Sequence, residues 1–305
     1  MTAADPLGDI FSREALERLA NTSQTEELAL RLRVITGRGL VSGSMRERQK
    51  QFLEAQRSAW SDYVNAAHAC GLFEEPHGAD LVSRLRGVDD ENFRSAIAEC
   101  QGAWYLGRKL GLEVSARPVG KGSSELEFLL KLPDGEVHVE VKSPLREAIS
   151  AGSVDDSDIL DRCLADASRQ FKKETRNLLM LVGRLTLGVS IRRFFVKAFY
   201  ADQRWEIVRE TSEFRTEFDP TGRFLKVWPG EAGPRHTRVS GVLYVEENIR
   251  SHDLGDGSWN FRAEHDALMM HNPSALHSLP EESWGDCPQL VSRGDVMQWT
   301  DGHAV

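Results

Sequence analysis

The chain has 305 residues and a formal net charge of −9 at pH 7, so it can bury a full core and is not expected to be wrapped on all sides in nucleic acid. No apolar run approaches the roughly 18 residues of a membrane helix, and the N-terminus lacks the basic and then apolar stretches of a signal peptide. The four cysteines are far apart, which predicts free thiols in a reducing cytosol rather than disulfides.

Residues 1–85 are predicted to form a helical N-terminal region. Apolar residues recur at helical spacing from about residue 12, and a Gly-rich break follows at 37–43. One long amphipathic helix comes next, and its candidate buried residues are Phe52, Trp60, Tyr63 and Val64. We expect this region to serve in packing, in DNA contact, or in binding a second copy of the chain or a partner protein.

Residues 86–250 are predicted to form an α/β core. A helix that begins at Asp89 or Asp90 precedes three short, partly alternating runs that are typical of strands: LEVSARPV, ELEFLLKL and EVHVEVKS. A second helix follows, and then the wholly apolar run NLLMLVG, which is typical of a strand buried on both faces. This order predicts a mixed sheet whose first strands are antiparallel, with a helix crossing back to the buried strand.

Beyond residue 200 the pattern is weaker. Three runs are predicted to add strands to the core: RWEIV, RFLKVW and SGVLYVEEN. Residues 251–305 hold nine acidic residues against two arginines and are punctuated by three prolines. We predict an acidic, loop-rich segment that packs on the core.

The segment LPDGEVHVEVKSP, residues 132–144, contains the letters PD and, further on, ExK. Pro133, Asp134 and Gly135 are strong turn residues between two predicted strands. Asp134 is therefore expected at the tip of a hairpin. It would lie about 20 Å along the strand from Glu140, which is too far for the two carboxylates to share a metal ion.

The hairpin strands are paired across a predicted two-residue loop, Asp134–Gly135. Glu127 then lies opposite Lys142, and directly opposed Cβ atoms are about 4.5 to 5.5 Å apart. Because side chains alternate along a strand, one face is apolar, formed by Leu126, Phe128, Leu130, Val137, Val139 and Val141. The other face gathers polar and charged residues: Glu125, Glu127, His138, Glu140 and Lys142.

Carboxylates beside a lysine suit the hydrolysis of a phosphodiester. Carboxylates hold a hard divalent ion such as Mg²⁺, for which Mn²⁺ can substitute, and such an ion acidifies bound water and offsets phosphate charge. We therefore expect Glu127 and Glu140 to hold the ion and Lys142 to orient the water. The alternative is a cross-strand salt bridge on a solvated face.

This region resembles the PD-(D/E)XK nuclease superfamily, which includes many restriction and repair endonucleases. VEVK supplies Glu140 and Lys142, and ELEF supplies Glu127 thirteen residues before Glu140. The order of helices and strands over about 90–185 also matches. The family usually has Asp after Pro on the second strand; this chain has Glu and no Pro, and Glu125 is the alternative to Glu127.

The resemblance implies a restriction-endonuclease-like αβββαβ core and a Mg²⁺-dependent endonuclease that acts on DNA in restriction, phage defence or repair. It also implies a metal ligand on the first helix, best matched by Glu99 and second by Glu91, and a phosphate-supporting Gln170 on the helix after the motif. Contacts to DNA are expected from basic residues: Lys121, Lys172, Lys173 and Arg176. The alternative is a catalytically inactive nuclease-like fold that binds DNA or protein.

Overall fold

The structure is a computed structural model that describes residues 6–22, 25–36, 44–117, 120, 125–143, 156–183, 191–200, 202–208, 213–219, 221–255, 259–293 and 296–301. These residues form eight α-helices: α1 (Pro6–Ile10), α2 (Arg13–Ala20), α3 (Glu26–Thr36), α4 (Ser44–Ala69), α5 (Gly78–Arg86), α6 (Asp90–Trp104), α7 (Asp156–Gln170) and α8 (Ile191–Phe199). They also form ten strands: β1 (Glu113–Ala116), β2 (Phe128–Leu132), β3 (Gly135–Lys142), β4 (Arg176–Val182), β5 (Asp202–Val208), β6 (Glu213–Asp219), β7 (Gly241–Asp253), β8 (Trp259–His271), β9 (Gln289–Arg293) and β10 (Val296–Trp299).

Eight of the strands make one mixed sheet in the order β1-β2-β3-β4-β7-β8-β9-β10, while β5 and β6 pair with each other. β1, β2 and β3 are antiparallel neighbours, and α7 crosses back so that β4 lies parallel to β3. The predicted α/β class and the predicted start of the sheet are therefore confirmed.

The N-terminal helices pack directly on this sheet. Tyr63 and Val64 of α4 are buried as expected, whereas Phe52 and Trp60 are half-buried. The helix α4 lies against α6 and β8, and the Tyr63 hydroxyl oxygen is 2.5 Å from His265 Nε2. One apolar core consequently includes side chains from α1 to α6 and from the sheet.

The strand β4 is buried on both faces, as its apolar sequence predicts. Leu178 and Met180 face the core that contains α6, while Leu179 and Leu181 face a second core under α7. Helices therefore cover both faces of the sheet around β3 and β4, and the polar face of β3 is buried at His138 and Glu140. The salt bridge on a solvated face, the alternative drawn from the sequence, does not describe this region.

The register of the β2–β3 hairpin corrects the prediction by two residues. Leu132 pairs with Gly135 and Phe128 with Val139, so the loop is Pro133–Asp134 rather than Asp134–Gly135. Proline cannot donate a hydrogen bond to the strand ladder, and Gly135 takes the first position of β3 with φ 136°. A shift of two keeps each side chain on its face, and Asp134 lies in the turn as predicted.

The hairpin differs from the prediction at one apolar residue. Leu126 packs in the core under α7, not with Phe128 and Leu130, because β2 begins only at Phe128 and the alternation of faces does not extend before it. The same irregular stretch places Glu127 one residue before the strand. Extending the observed register by one pair sets Glu127 level with Glu140, where the prediction had set it opposite Lys142.

The described part of residues 251–305 holds more strand than the predicted loop-rich segment, which corrects the prediction there. β8 pairs with β7 along its whole length, and β9 and β10 extend the sheet. Charged side chains obscure the alternation of apolar and polar residues along β7 and β8. Arg250 of β7, for example, forms ion pairs with Glu264 and Asp266 of β8. The run RFLKVW, predicted as a strand, instead forms turns and an isolated bridge at Val227.

None of the helices in the described part of the chain is both long enough and apolar enough to span a membrane.

Candidate active site

Glu127, Glu140 and Lys142 meet at one end of β3. The side chain of Glu140 is 1% exposed, and its Oε1 forms an ion pair with Lys142 Nζ. Its other oxygen, Oε2, is buried and has no hydrogen-bond partner. The Glu127 carboxyl group lies within hydrogen-bonding reach of Glu140, and its Oε2 accepts a hydrogen bond of 2.9 Å from the Val141 N–H. Two carboxyl groups and one ammonium therefore share a small, mostly buried space.

The electrostatics of this group follow from burial and from like charge. Burial raises the pKa of Glu127 well above its ordinary value, and the nearby carboxylates of Glu140 and Glu99 raise it further. Burial alone would lower the pKa of Lys142, but Glu140 and Glu127 outweigh burial and raise it. Lys142 is therefore a cation at neutral pH, held between two acids.

A cavity of about 300 Å³ opens onto Glu127 and Lys142, while Glu140 lies outside its lining. Glu127, Val141 and Lys142 form its floor, and Ser143 follows them. Two helices supply its walls: Glu91 and Ser95 from α6, and Ile159, Arg162, Cys163 and Asp166 from α7. The cavity is large enough for a phosphate group and an ion together. These α7 residues were not predicted as site residues, although their spacing of three and four places them on one helix face.

Glu99, predicted as a metal ligand, does not line this cavity and is held in an ion-pair network. Its two oxygens accept hydrogen bonds of 2.7 and 3.1 Å from the guanidinium of Arg84, and Arg117 Nη2 is 3.7 Å away. It is close enough to raise the pKa of Glu127, yet its oxygens are occupied. Glu91, eight residues earlier on the same helix, lines the cavity.

Gln170 lies one turn beyond Asp166 on the same side of α7. Its Oε1 atom is buried without a hydrogen-bond partner, but Gln170 is not among the residues that line the cavity. His138, two residues before Glu140, is also buried, and its Nδ1 has no partner.

The predicted DNA-binding residues lie elsewhere. Arg176 is level with Val137 on the neighbouring strand, about 16 Å along the strand from the level of Lys142, and it binds Asp134 at 2.8 Å. Lys172 and Lys173 precede it in the same connection. These three residues therefore lie toward the hairpin tip and not at the cavity. Lys121 lies outside the described residues.

Within the described ranges, no three side chains of histidine, cysteine, aspartate or glutamate form a group that could hold a metal ion. Glu127 and Glu140 are a pair. Comparison of the chain with protein-family models, with curated proteins and with solved structures gives no match. What this site does must be inferred from its own chemistry.

The raised pKa of Glu127 predicts that Glu127→Gln stabilises the protein at neutral pH. A carboxyl group whose pKa is raised by folding costs no stability below its unfolded-state pKa, and the cost grows as the pH rises toward the folded-state pKa. Glutamine removes this cost, and its amide oxygen can still accept the Val141 N–H. In urea unfolding at pH 4.5 and pH 7.5, we expect the stability gain of the variant over the wild type to be larger at pH 7.5.

Glu136→Gln is the matched control, since Glu136 is an exposed glutamate of the same hairpin and its substitution should change stability little at either pH. Equal differences at both pH values for Glu127→Gln would show that the environment of Glu127 is not as described.

Proposed function

We propose that this protein is a Mg²⁺-dependent endonuclease of the PD-(D/E)XK type that hydrolyses DNA. The observation that carries the proposal is the buried carboxylate of Glu140, which is grouped with Glu127 and Lys142 behind a cavity that these two residues line. Two adjacent buried carboxyl groups are costly to ionise together, and a bound cation would offset their charge.

The order of elements supports a restriction-endonuclease-like core. α6, β1, β2, β3, α7 and β4 follow one another as helix, three antiparallel strands, crossover helix and parallel strand. Glu140 and Lys142 lie near the end of the third strand, and Glu127 lies just before the second. The superfamily carries its first acid on the second strand and its second acid and lysine on the third, so Glu140 and Lys142 match its positions and Glu127 lies one residue before the expected strand.

The donor set fits Mg²⁺ in chemistry and in number of protein ligands. Mg²⁺ prefers oxygen ligands and is commonly bound by one or two carboxylates, with water and substrate phosphate completing its shell. Glu127 and Glu140 would hold the ion. When bound, the ion would offset charge on the phosphate and make a coordinated water more acidic.

Residues of the chain itself can orient the attacking water and stabilise the phosphate in such a reaction. Lys142, held as a cation by the two acids, can donate hydrogen bonds to the attacking water and to a phosphate oxygen. Arg162 and Lys142 bring positive charge to a cavity that otherwise carries several acids. The walls from α6 and α7 limit the number of water molecules around the reacting phosphate, which strengthens these interactions.

Cleavage assays of the wild type and Lys142→Ala test the proposal. Supercoiled plasmid, linear duplex and single-stranded DNA, and RNA, would be incubated with Mg²⁺ or with EDTA. We expect the wild type to cleave DNA only with Mg²⁺, and Lys142→Ala to be slower by roughly 10²-fold or more. Lys131→Ala, which removes an exposed lysine paired with Glu113, should cleave at the wild-type rate.

Equal cleavage by the wild type and Lys142→Ala would refute this site. A second function, binding without catalysis, has one observation in its favour: Glu140 is already ion-paired with Lys142 and Glu99 with Arg84, so neither acid requires a metal for charge balance. DNA binding by the wild type without cleavage of any substrate would favour that function.

A further inference from the structure

A tryptophan is exposed at the surface of the segment between β6 and β7. Trp228 is 41% exposed, and its neighbour Val227 is 52% exposed. Adjacent large apolar side chains on the surface give up the free energy that burial would provide, and exposed apolar patches commonly mark binding sites. We therefore looked for the kind of ligand that the surroundings of Trp228 would accept.

The backbone around Trp228 fixes the position of this side chain. The Glu231 N–H donates a hydrogen bond of 3.0 Å to the Trp228 carbonyl oxygen. Pro229 and Gly230 lie between the two residues, and Gly230 has φ 84°, as a type II turn requires. The chain on either side of the turn also pairs in an isolated antiparallel bridge. The indole is therefore presented by an ordered turn, which lowers the entropy cost of binding.

Positive charge lies beside the exposed ring. Lys226 Nζ is 4.2 Å and the Arg235 guanidinium carbon is 4.5 Å from the centroid of the Trp228 ring. Cations at such distances are attracted to the face of an indole. The ring nevertheless stays partly open to solvent, so this turn offers a ligand both an aromatic surface and positive charge.

Two basic segments of the chain meet next to this turn. Asn177 donates hydrogen bonds of 2.9 Å to the carbonyl oxygens of both Lys172 and Arg238. The connection before β4 therefore lies beside the segment before β7 that carries Trp228. We call residues 172–176 and 221–240 together the basic surface.

The basic surface is positive although the whole chain is acidic. Residues 172–176 hold three basic residues and one acid, and residues 221–240 hold four basic residues and one acid, which gives a net charge of +5 in a chain of net charge −9. Asp134 and Asp161, outside these segments, each pair with one of the basic residues. A net charge of +3 remains, so the surface attracts anions.

The helix α7 lies between the basic surface and the candidate active site. The basic surface contacts α7 at two places: Arg223 pairs with Asp161, and Arg238 Nη1 donates a hydrogen bond of 3.2 Å to the Ser168 carbonyl oxygen. At 3.6 residues per turn, Asp161 and Ser168 lie on one side of α7 and the cavity-lining residues on another. About one helix diameter, 10 to 12 Å, therefore separates the cavity from the nearest part of the basic surface.

A single strand of nucleic acid fits this chemistry better than a duplex or an acidic peptide. Its phosphates require positive charge, and its unpaired bases stack on exposed aromatic rings. The bases of a duplex are already stacked on one another inside the double helix. An acidic peptide would use the positive charge but would not account for the exposed tryptophan.

We propose that Trp228 and the basic surface bind a single strand of nucleic acid, with one base stacked on the indole and Lys226 and Arg235 in contact with the neighbouring phosphates. This inference rests on the proposed function, because it assumes a nucleic-acid substrate. It adds the class of that substrate: DNA with a single-stranded segment, held across α7 from the cavity in which cleavage occurs.

Binding of a fluorescein-labelled single-stranded DNA by the full chain tests this inference. Anisotropy would be measured in EDTA, which prevents Mg²⁺-dependent cleavage, over a range of salt concentrations. The duplex formed by the same strand and its complement would be titrated in parallel. Trp228→Ala removes the stacking surface, Trp228→Phe keeps part of it, and Lys226→Ala removes one charge.

Trp259→Ala is the matched control. Trp259 is also exposed, at 36%, and it also has an arginine beside its ring, since the Arg48 guanidinium carbon is 5.4 Å from the ring centroid. It begins β8 and lies outside the basic surface. The same substitution there removes an exposed tryptophan without removing the proposed stacking site.

We expect the wild type to bind the single strand more tightly than the duplex. Trp228→Ala should bind the single strand about 10-fold more weakly with little change in the salt-dependence slope, because it loses one stacked base and no charge. Trp228→Phe should have intermediate affinity. Lys226→Ala should lower the magnitude of the slope by about 0.7, as expected when one phosphate contact of a single strand is lost. Trp259→Ala should bind like the wild type.

Wild-type affinity of Trp228→Ala for the single strand, or an equal loss of affinity in Trp259→Ala, would overturn the inference. Binding of the duplex as tightly as the single strand would also overturn it. In each case, Mg²⁺-dependent cleavage by the wild type would leave the proposed function standing. Conversely, single-strand binding that depends on Trp228, without cleavage of any substrate, would refute the proposed activity and support this surface as a binding site.

Discussion

Glu140→Gln is expected to lower the rate of Mg²⁺-dependent DNA cleavage by about 10³-fold while leaving the fold intact. The substitution keeps the shape of the side chain but removes the negative charge that would hold the ion, in a site where charge acts strongly because water is largely excluded. The urea concentration at unfolding should change little, because relief from removing one of two adjacent buried carboxyl groups opposes the loss of the ion pair with Lys142.

Glu136→Gln is the matched control for this prediction. It is the same substitution on the same strand and the same face, four residues earlier, where the side chain is exposed. We expect it to cleave DNA at the wild-type rate. Wild-type cleavage by Glu140→Gln would show that Glu140 is not a ligand, whatever its burial.

Arg84→Ala is expected to lower the free energy of unfolding by about 3 to 5 kcal/mol, because it leaves the buried carboxylate of Glu99 without its main partner. Glu99 is 6% exposed and Arg84 20% exposed, so solvent can compensate only partly. Urea unfolding at neutral pH measures the effect. Arg94→Ala breaks a half-exposed ion pair and should cost about 1 kcal/mol or less.

The double variant Arg84→Ala/Glu99→Gln should recover much of the lost stability, since no unpaired charge then remains. Losses below about 1 kcal/mol for Arg84→Ala would mean that Glu99 is not held by this pair. Glu99 would then be free to act as the third acid of the metal site, as the sequence analysis expected.

Several features of the fold could be predicted because they follow from local sequence. After its first residue the run NLLMLVG has no polar side chain, so only a position between two cores accommodates it, as β4 shows. The alternation of apolar and polar residues along β3 correctly predicted that Val139 and Glu140 lie on opposite faces of the sheet. Asp134 was correctly placed in the hairpin turn because Pro and Gly flank it.

Other features depend on contacts between distant parts of the chain. The hairpin register was wrong by two residues because two adjacent loop positions were both compatible with the turn residues. The pairing of Glu99 with Arg84 joins α6 to α5, and nothing in either segment marks the other as its partner. The backbone of Arg117 lies in the left-handed region, with φ 57°. This conformation could not be predicted from the sequence, because arginine seldom adopts it.

Titration of Mn²⁺ into the wild type and Glu140→Gln, followed by calorimetry or by the electron paramagnetic resonance of free Mn²⁺, tests most directly whether Glu127 and Glu140 form a metal site. We expect one saturable site in the wild type, and its loss or a large reduction in affinity in Glu140→Gln, while Glu136→Gln binds normally. Absence of binding to the wild type, or equal binding to the wild type and Glu140→Gln, would contradict a metal site at these residues.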